Sequence, residues 1–309
     1  IGGTGMTASK DRVVERLCLS LSADLISTGF LRGAYRSALD TLLALAISQA
    51  NLAPKARDLA FQQAYATLSR SPPDHLRRPV RVRPIAISLG IPQETARRRV
   101  AMMVKDGILA HTDTGVFMPK SVTETPIYID TAKATWEAVG ALYGDLRRLG
   151  ALDAPANQAR EEEIPYRYMM RLWGDHFLRI VEMLLPMLQE PFDIVLLFTI
   201  LRASEALKSE ASKPVSASSI SRSLGLPFET VRRNALRLAE RGLCQKAPRG
   251  YVITSELLDT PVWRQFAERH RLVLMRFFSI MGERGLLSFW EAGYQASKRQ
   301  GAPPNHDAS

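Results

Sequence analysis

The chain has 309 residues, of which 46% are hydrophobic and 23% are charged, a balance that excludes wholesale disorder. Its formal net charge of +10 favours nucleic acid, an acidic membrane surface or an acidic protein as the partner. No apolar run approaches the roughly 20 residues that a bilayer-spanning helix needs, so we expect a soluble, cytoplasmic protein that does not bind membranes.

Apolar residues recur at helical spacing in both halves of the chain, which predicts a mainly α fold. The expected divisions are a tag and disordered start over residues 1–11, a first domain over 12–150, a linker over 151–164, a second domain over 165–296 and a disordered tail over 297–309. Long helices are predicted over Phe30–Asn51, Ala53–Leu68, Ile127–Leu149, Pro165–Leu185, Asp193–Lys208 and Val262–Trp290.

Two segments that lie 135 positions apart share one sequence pattern. Leu89–Arg98 (LGIPQETARR) matches Leu224–Arg233 (LGLPFETVRR), and the register holds without a gap from Pro79 to Pro126 of the first copy. Fifteen of these 48 aligned positions are identical, including three glycines at predicted turns. We infer a duplication, because chance similarity would not keep one register across so many turn residues.

Each copy predicts a short strand, two helices around a tight turn, and a β-hairpin. In the first copy these elements are, in order, Pro79–Val82, Ile85–Leu89, Pro92–Asp106 and the paired segments Ile108–Leu109 and Val116–Met118. The helices and the hairpin together occupy about residues 79–119 in the first copy and 214–254 in the second.

This order of elements, with the pattern L-G-[LI]-P-x-E-T-x-R-R and a later G-[LI], resembles the winged helix-turn-helix of bacterial transcription regulators of the MarR and IclR type. The resemblance implies tandem winged helix-turn-helix domains with small β-hairpin wings and long flanking helices. It also implies that the second helix of each copy lies in the major groove of DNA. Because such regulators usually carry one such domain in each subunit, two copies in one chain indicate an internal pseudo-dimer, with a homodimer as the alternative.

The outward side of each second helix supplies the candidate DNA contacts. A rotation of about 100° per residue places Val231, Ala235 and Leu238 inward, so that Arg233, and Arg98 in the first copy, point outward. These two arginines are the predicted readers of guanine, because a guanidinium pairs bidentately with its O6 and N7 atoms. The other predicted DNA contacts lie on the same helices, just before them or in the second hairpin: Arg81, Arg83, Gln93, Thr95, Arg97, Arg99, Phe228, Thr230, Arg232, Arg237, Lys246 and Arg249.

Basic residues are concentrated in the two copies. Residues 79–109 hold six Arg or Lys and two acids, and residues 214–244 hold five and two, so these segments account for +7 of the net charge. An ordinary solvated face is the alternative explanation, and this concentration favours nucleic acid over it. The two acids at the helix starts, Glu94 and Glu229, are assigned to the positive helix N-terminus rather than to cytosine.

No pattern typical of an enzyme, a metal site or a cofactor site occurs in the sequence. The five histidines and two cysteines lack ligand spacing, and no nucleotide-binding glycine loop is present. Scattered Met and Trp residues, Met170 and Trp173 among them, are assigned to core packing, which leaves an unknown effector open.

The sequence therefore predicts a non-enzymatic, sequence-specific regulator of transcription that binds double-stranded DNA, associates with the nucleoid and needs no cofactor. Two alternatives stay open. One is a plasmid- or phage-type replication initiator, and the other is a winged-helix scaffold for protein interactions.

Overall fold

The computed structural model describes residues 3–31, 37–155, 163–188, 190–205 and 212–300. Over these ranges the chain is mainly helical, as predicted, with 13 α-helices and two small antiparallel sheets. In the same ranges no single helix is long and apolar enough to cross a membrane. Tyr166–Met187 and Pro191–Ala203 reach that composition only as a pair bent by 100°.

The described residues of the first half form six helices and one hairpin. In chain order these are α1 (Gly3–Leu31), α2 (Ala38–Leu52), α3 (Leu59–Ala64), α4 (Val82–Ser88), α5 (Gln93–Lys105), β1 (Ala110–Thr112), β2 (Gly115–Phe117) and α6 (Pro126–Arg148). Short 3-10 turns follow α2 and precede α4 and α6.

The described residues of the second half repeat this order without a counterpart of α3 and add two helices, α11 and α13. Its elements are α7 (Tyr166–Leu184), α8 (Pro191–Ala203), α9 (Ala217–Leu224), α10 (Phe228–Glu240), β3 (Gln245–Ala247), β4 (Gly250–Val252), α11 (Ser255–Leu258), α12 (Pro261–Glu283) and α13 (Leu287–Gln300). By their place in the order, α7, α8, α9, α10 and α12 correspond to α1, α2, α4, α5 and α6.

Each copy of the duplicated sequence forms the same unit of two helices and a hairpin, which we call the helix–hairpin unit (residues 80–118 and 215–253). In the first unit Gly90 has φ +64° between α4 and α5, and the Ile91 N–H donates to the Ala86 carbonyl at 2.9 Å. The second unit repeats this turn with Gly225 at φ +61°. A two-residue turn then joins the paired strands of each hairpin.

The strand expected before each unit is reduced to a single residue. Val80 forms an antiparallel bridge with Val116, and Val215 forms the equivalent bridge with Tyr251. A Cβ added at Gly115 would collide with the backbone of Val80, and the equivalent glycine of the second unit meets the same obstacle. Glycine at these positions therefore lets a third chain segment lie against each hairpin.

The start of the chain differs from its prediction. The disorder expected over residues 1–11 is wrong from Gly3 onward, because α1 begins there. Val14, Cys18 and Leu21 are buried on one side of α1 and hold it in the core, and the helix extends from them toward the N-terminus. Of the expected linker, residues 156–162 lie outside the described residues, as do residues 301–309 of the expected tail. The disorder expected over residues 297–300 is wrong, because they belong to α13.

Other predicted helices are shorter than expected. The first long helix begins at Ala38 because the Ser37 hydroxyl accepts from the Asp40 N–H, a helix cap. The next predicted helix is a 3-10 turn followed by the six-residue α3. The last one is divided into α12 and α13 at Gly285, which has φ +74°.

The first helix of each half packs on the opposite half. Helix α1 packs against α8 and α12, and α7 packs against α2 and α6. Each also packs along the last long helix of its own half, and α2 contacts α8. This pattern maps onto itself when the halves are exchanged, as the contacts of a twofold-symmetric dimer do. One continuous hydrophobic core consequently joins both helix–hairpin units through α2 and α8.

Candidate nucleic-acid interface

Helices α5 and α10 are held to the core by one apolar side. The residues predicted to face inward are all buried: Ala96, Val100, Met103, Val231, Ala235 and Leu238. The inward facing inferred from 100° per residue is therefore confirmed for both helices, and the opposite side of each carries exposed residues that include Arg98 and Arg233.

Arg98 and Arg233 occupy the same position on α5 and α10, and both are exposed. Among the described residues neither has a hydrogen-bond or ion-pair partner, so each guanidinium keeps its five N–H donors for a ligand. The helices start directly after Pro92 and Pro227, whose side chains do not cap them. Each arginine lies in the second turn of its helix, in the N-terminal half.

Arg97 and Arg232, one residue earlier, make the same local ion pair. Arg97 donates to Glu94 at 2.9 and 2.7 Å, and Arg232 donates to Glu229 at 2.9 Å. The hydrogen bond from Arg97 lowers the pKa of the exposed Glu94 carboxyl. Because exposed pairs of this kind contribute little to stability, a phosphate can replace the glutamate at little cost.

Two predicted DNA contacts, Arg99 and Arg237, are bound inside the protein instead. Arg99 donates to the Ser37 hydroxyl at 2.7 Å and to Asp40 at 3.0 Å. Arg237 donates to both carboxylate oxygens of Asp193 at 2.8 and 2.7 Å, and its side chain is only 19% exposed. These two arginines, predicted to contact DNA, turn toward the core instead, because the buried carboxylates of α2 and α8 need a cation beside them. The two arginines fix α5 and α10 to the core.

The first turns of α5 and α10 carry the other predicted contacts on these helices. Gln93 and Phe228 are both exposed at the first helical position, and Phe228 retains 46% exposure. Thr95 and Thr230 are half-buried one turn from the arginines. The two units thus present different chemistry, an amide and an aromatic ring, at one equivalent position.

The two hairpins differ in charge. Lys246 in β3 and Arg249 in the following turn are exposed on the second hairpin, whereas His111 occupies the position of Lys246 on the first. The first unit has its added positive charge at the start of α4, where Arg81 and Arg83 are exposed. Only the second hairpin therefore offers basic side chains of its own to a phosphate backbone.

Two polar residues that the sequence did not single out hold the hairpins to the core. Asn51, near the end of α2, donates to the Arg78 carbonyl at 2.8 Å and accepts from the Met118 N–H at 3.0 Å. Ser204, which follows α8, accepts from the Ile253 N–H at 2.9 Å. The sequence signal for these two residues is a polar side chain at the end of an apolar helix. That signal identifies a pair only when α2 and α8 are recognised as equivalent helices.

Within the described ranges, no group of three or more His, Cys, Asp or Glu side chains is arranged to hold a metal ion. Comparison of the chain with models of protein families, with curated proteins and with solved structures finds no match.

Proposed function

We propose that this chain is a sequence-specific regulator of transcription that binds double-stranded DNA through two winged helix-turn-helix units. The observation that carries the proposal is the pair Arg98 and Arg233. They are exposed at one equivalent position on two helices, and no described residue pairs with them. Neighbouring arginines on the same helices are paired with carboxylates. An ordinary solvated face does not explain why the arginine at one equivalent position of both helices is left unpaired.

In the proposed complex, α5 and α10 enter the major groove and their exposed arginines pair with guanine. Thr95, Thr230 and the displaceable arginines Arg97 and Arg232 contact phosphates, which position the protein without reading sequence. The exposed Lys246 and Arg249 bring the second hairpin to the neighbouring backbone or minor groove.

The shared core supports the use of both units on one DNA molecule. The exchanged helices α1 and α7 and the contact between α2 and α8 fix the two units relative to each other. Regulators of this kind recognise two half-sites whose separation mirrors the spacing of the two reading helices. A single chain would then act as the pseudo-dimer.

Fluorescence anisotropy with a library-selected duplex tests the proposal across a salt series. We expect log affinity to fall linearly with log salt, by about 0.9 for each phosphate contact, and Arg98→Ala and Arg233→Ala to weaken binding. Arg269→Ala is the matched control, because this exposed arginine lies on α12, away from both units. No selectable duplex, or an equal loss in the control, rejects the proposal.

A further inference from the structure

A cavity of about 80 Å³ lies between α2, α7 and the segment that precedes α4. Three arginines, Arg77, Arg167 and Arg171, line it together with Ser48, Gln49 and Tyr128. None of these arginines belongs to the candidate DNA interface. Three guanidinium groups around one small space form an unusual concentration of positive charge inside a protein.

Two of the arginines are almost fully buried and incompletely bonded. The Arg77 side chain is 1% exposed and donates to the Pro72 carbonyl at 3.2 Å. Arg167 is 2% exposed and donates to the carbonyls of Thr123 at 2.7 Å and Leu68 at 3.3 Å. The buried Nε of each arginine has no hydrogen-bond partner among the described residues. Buried N–H donors normally have an acceptor, and these two Nε–H groups therefore indicate that an acceptor is missing.

Arg171 fixes the third side of the cavity. It donates to the side chain and carbonyl of Gln62, at 2.7 and 3.3 Å, and to the Tyr65 carbonyl at 2.9 Å. Its guanidinium also lies 5.8 Å from the ring centre of Phe61 and 5.5 Å from that of Tyr168. Burial lowers the pKa of Arg171 to about 10. Neutral acceptors and aromatic faces thus hold this cation in place, with no carboxylate among them.

The charges around the cavity do not balance. Asp74 lies 3.6 Å from the Arg77 Nε and is half exposed. Glu124 also acts on Arg77 but pairs with Lys120 at 3.2 Å. Three cations with one direct counter-charge leave about two positive charges, which equals the charge of a phosphoryl group near neutral pH. Guanidinium groups also match the oxygen geometry of phosphate.

We propose that this cavity is a binding site for a phosphoryl dianion, either inorganic phosphate or the phosphoryl end of a small molecule. A second cavity of about 200 Å³ shares Tyr128 and Met170 with it and is lined by Trp173 and Phe177. This adjoining space accommodates the organic part of such a molecule. The proposal does not depend on DNA binding, and the phosphates of a duplex cannot enter a cavity of this size.

One site per chain is expected. The segment that carries Arg77 runs from α2 to α4 through α3, whereas its counterpart between α8 and α9 spans only residues 204–216. Among its described residues the second half therefore has no counterpart of α3 or of the segment that carries Arg77. The single site joins that first-half segment to α7, which belongs to the second half.

Titration of the full chain in phosphate-free buffer at constant ionic strength tests the proposal. Isothermal calorimetry with inorganic phosphate should give saturable binding of one anion per chain, and the Tm should rise with the same concentration dependence. Chloride at matched ionic strength should produce neither effect. If phosphate and chloride shift the Tm equally, or if no saturation occurs, the proposal is overturned.

Three variants locate the site. Arg167→Gln should weaken phosphate binding at least tenfold, and Arg171→Lys should weaken it less because the charge is kept while the planar fork is lost. Arg179→Gln is the matched control, since this exposed arginine of α7 pairs with Asp175 and lies outside the cavity. Equal binding by all three variants overturns the assignment. If Arg167→Gln does not fold, the comparison of Arg171→Lys with the control decides the question.

A nucleoside monophosphate identifies the source of the anion. Tighter binding than inorganic phosphate, weakened at least tenfold in Arg167→Gln, supports an organic ligand that extends into the adjoining cavity. Equal or weaker binding supports the free anion. Nucleotide binding that is unchanged in Arg167→Gln while inorganic phosphate binding is weakened contradicts a shared site.

Discussion

Arg237 of α10 binds both carboxylate oxygens of Asp193, near the start of α8, and the Asp193 side chain is only 1% exposed. The first half contains the same relationship between Arg99 of α5 and Asp40 of α2. The two acids are 153 positions apart and the two arginines are 138 positions apart. Because the sequence repeat is 135, Arg237 lies three residues, about one helical turn, beyond the position on α10 that is equivalent to Arg99. The same arginine–aspartate contact therefore occurs in both halves, although the sequence repeat of 135 aligns neither the two arginines nor the two aspartates.

Loss of this pair should destabilise the protein strongly. We expect Arg237→Ala to lower the free energy of unfolding by about 3 kcal/mol, because Asp193 would stay buried without its cation. Chemical denaturation measures the change. Arg237→Met combined with Asp193→Leu should recover most of it, since apolar side chains replace a buried ion pair at little cost. A stable Arg237→Ala variant would contradict this account.

The loss of stability in Arg237→Ala should depend on pH. Burial raises the pKa of Asp193 even in the presence of Arg237, so this carboxyl binds a proton more readily in the folded chain than in the unfolded chain. A raised pKa in the fold contributes stability at low pH, and this is lost as pH rises through that pKa. Without Arg237 the pKa of Asp193 rises further, and the destabilisation should be larger at pH 8 than at pH 5.

The variant Arg99→Ala should lower the free energy of unfolding by less, about 2 kcal/mol, because Asp40 keeps its hydrogen bond from Ser37.

Four arginines of α5 and α10 should separate base reading from phosphate contact. Arg98→Ala and Arg233→Ala should each cost about 1–3 kcal/mol on the selected site and much less on random duplex. Arg97→Ala and Arg232→Ala should weaken all duplexes more evenly, because the partners proposed for them on DNA are phosphates.

The ion pair with Glu94 supplies a control for that comparison. Glu94→Gln releases Arg97 from its carboxylate and removes one negative charge, so binding to random duplex should tighten. Anisotropy with selected and random duplexes measures all these variants. The assigned facing is wrong if the four alanine variants lose both affinities equally.

Two histidines should make stability depend on pH. Burial lowers the pKa of His270 to about 4, and burial together with the neighbouring His270 lowers that of His176 to about 3. Both rings are neutral in the fold but take up a proton in the unfolded chain below about pH 6.5. Stability is therefore complete above that pH and falls as the pH drops toward 4, by at most about 1.4 kcal/mol per pH unit for each histidine.

The variant His270→Gln tests the assignment. Glutamine does not titrate, so the difference in unfolding free energy between pH 7 and pH 4.5 should shrink relative to the wild type. His176→Gln should give a similar reduction, since burial lowers the pKa of His176 as well. Unchanged pH dependence in both variants would show that other groups cause it. Chemical denaturation at the two pH values is sufficient.

The features predictable from the sequence are local ones. The turn at Gly90, the facing of Val100 and Val231 and the hairpins depend on residues close together in the chain, and the duplication doubled each signal. The exchange of α1 and α7 between halves depends on contacts that no spacing encodes. For the same reason Arg99 and Arg237 were assigned to DNA, because their carboxylates lie 59 and 44 positions away.

The longer connection between α2 and α4 also concealed the correspondence of the helices. Equivalent residues of the two helix–hairpin units are 135 positions apart, but equivalent residues at the ends of α2 and α8, such as Asn51 and Ser204, are 153 positions apart. The sequence register consequently matched α2 with α7 instead of α8. An acid such as Asp193 in an otherwise apolar helix was the one signal that a buried cation was required.

The exchange of helices between the halves predicts how one chain binds DNA. Because the contacts map onto themselves when the halves are exchanged, the two reading helices should be related by an approximate twofold axis, as in a dimer. We therefore expect one chain on an imperfect inverted repeat, with half-sites separated by about 10 bp or a multiple of it. Gln93 and Phe228 differ at one reading position, so the two half-sites should differ there too.

Footprinting and light scattering of the complex test this arrangement. Arg98→Ala should lose protection over one half-site and Arg233→Ala over the other, with one chain per site. The half-site read by Arg233 should bind more tightly, because Lys246 and Arg249 add phosphate contacts from its hairpin, and their replacement by alanine should remove the difference. A symmetric footprint with two chains per site, abolished uniformly by either arginine variant, would instead establish a dimer of chains.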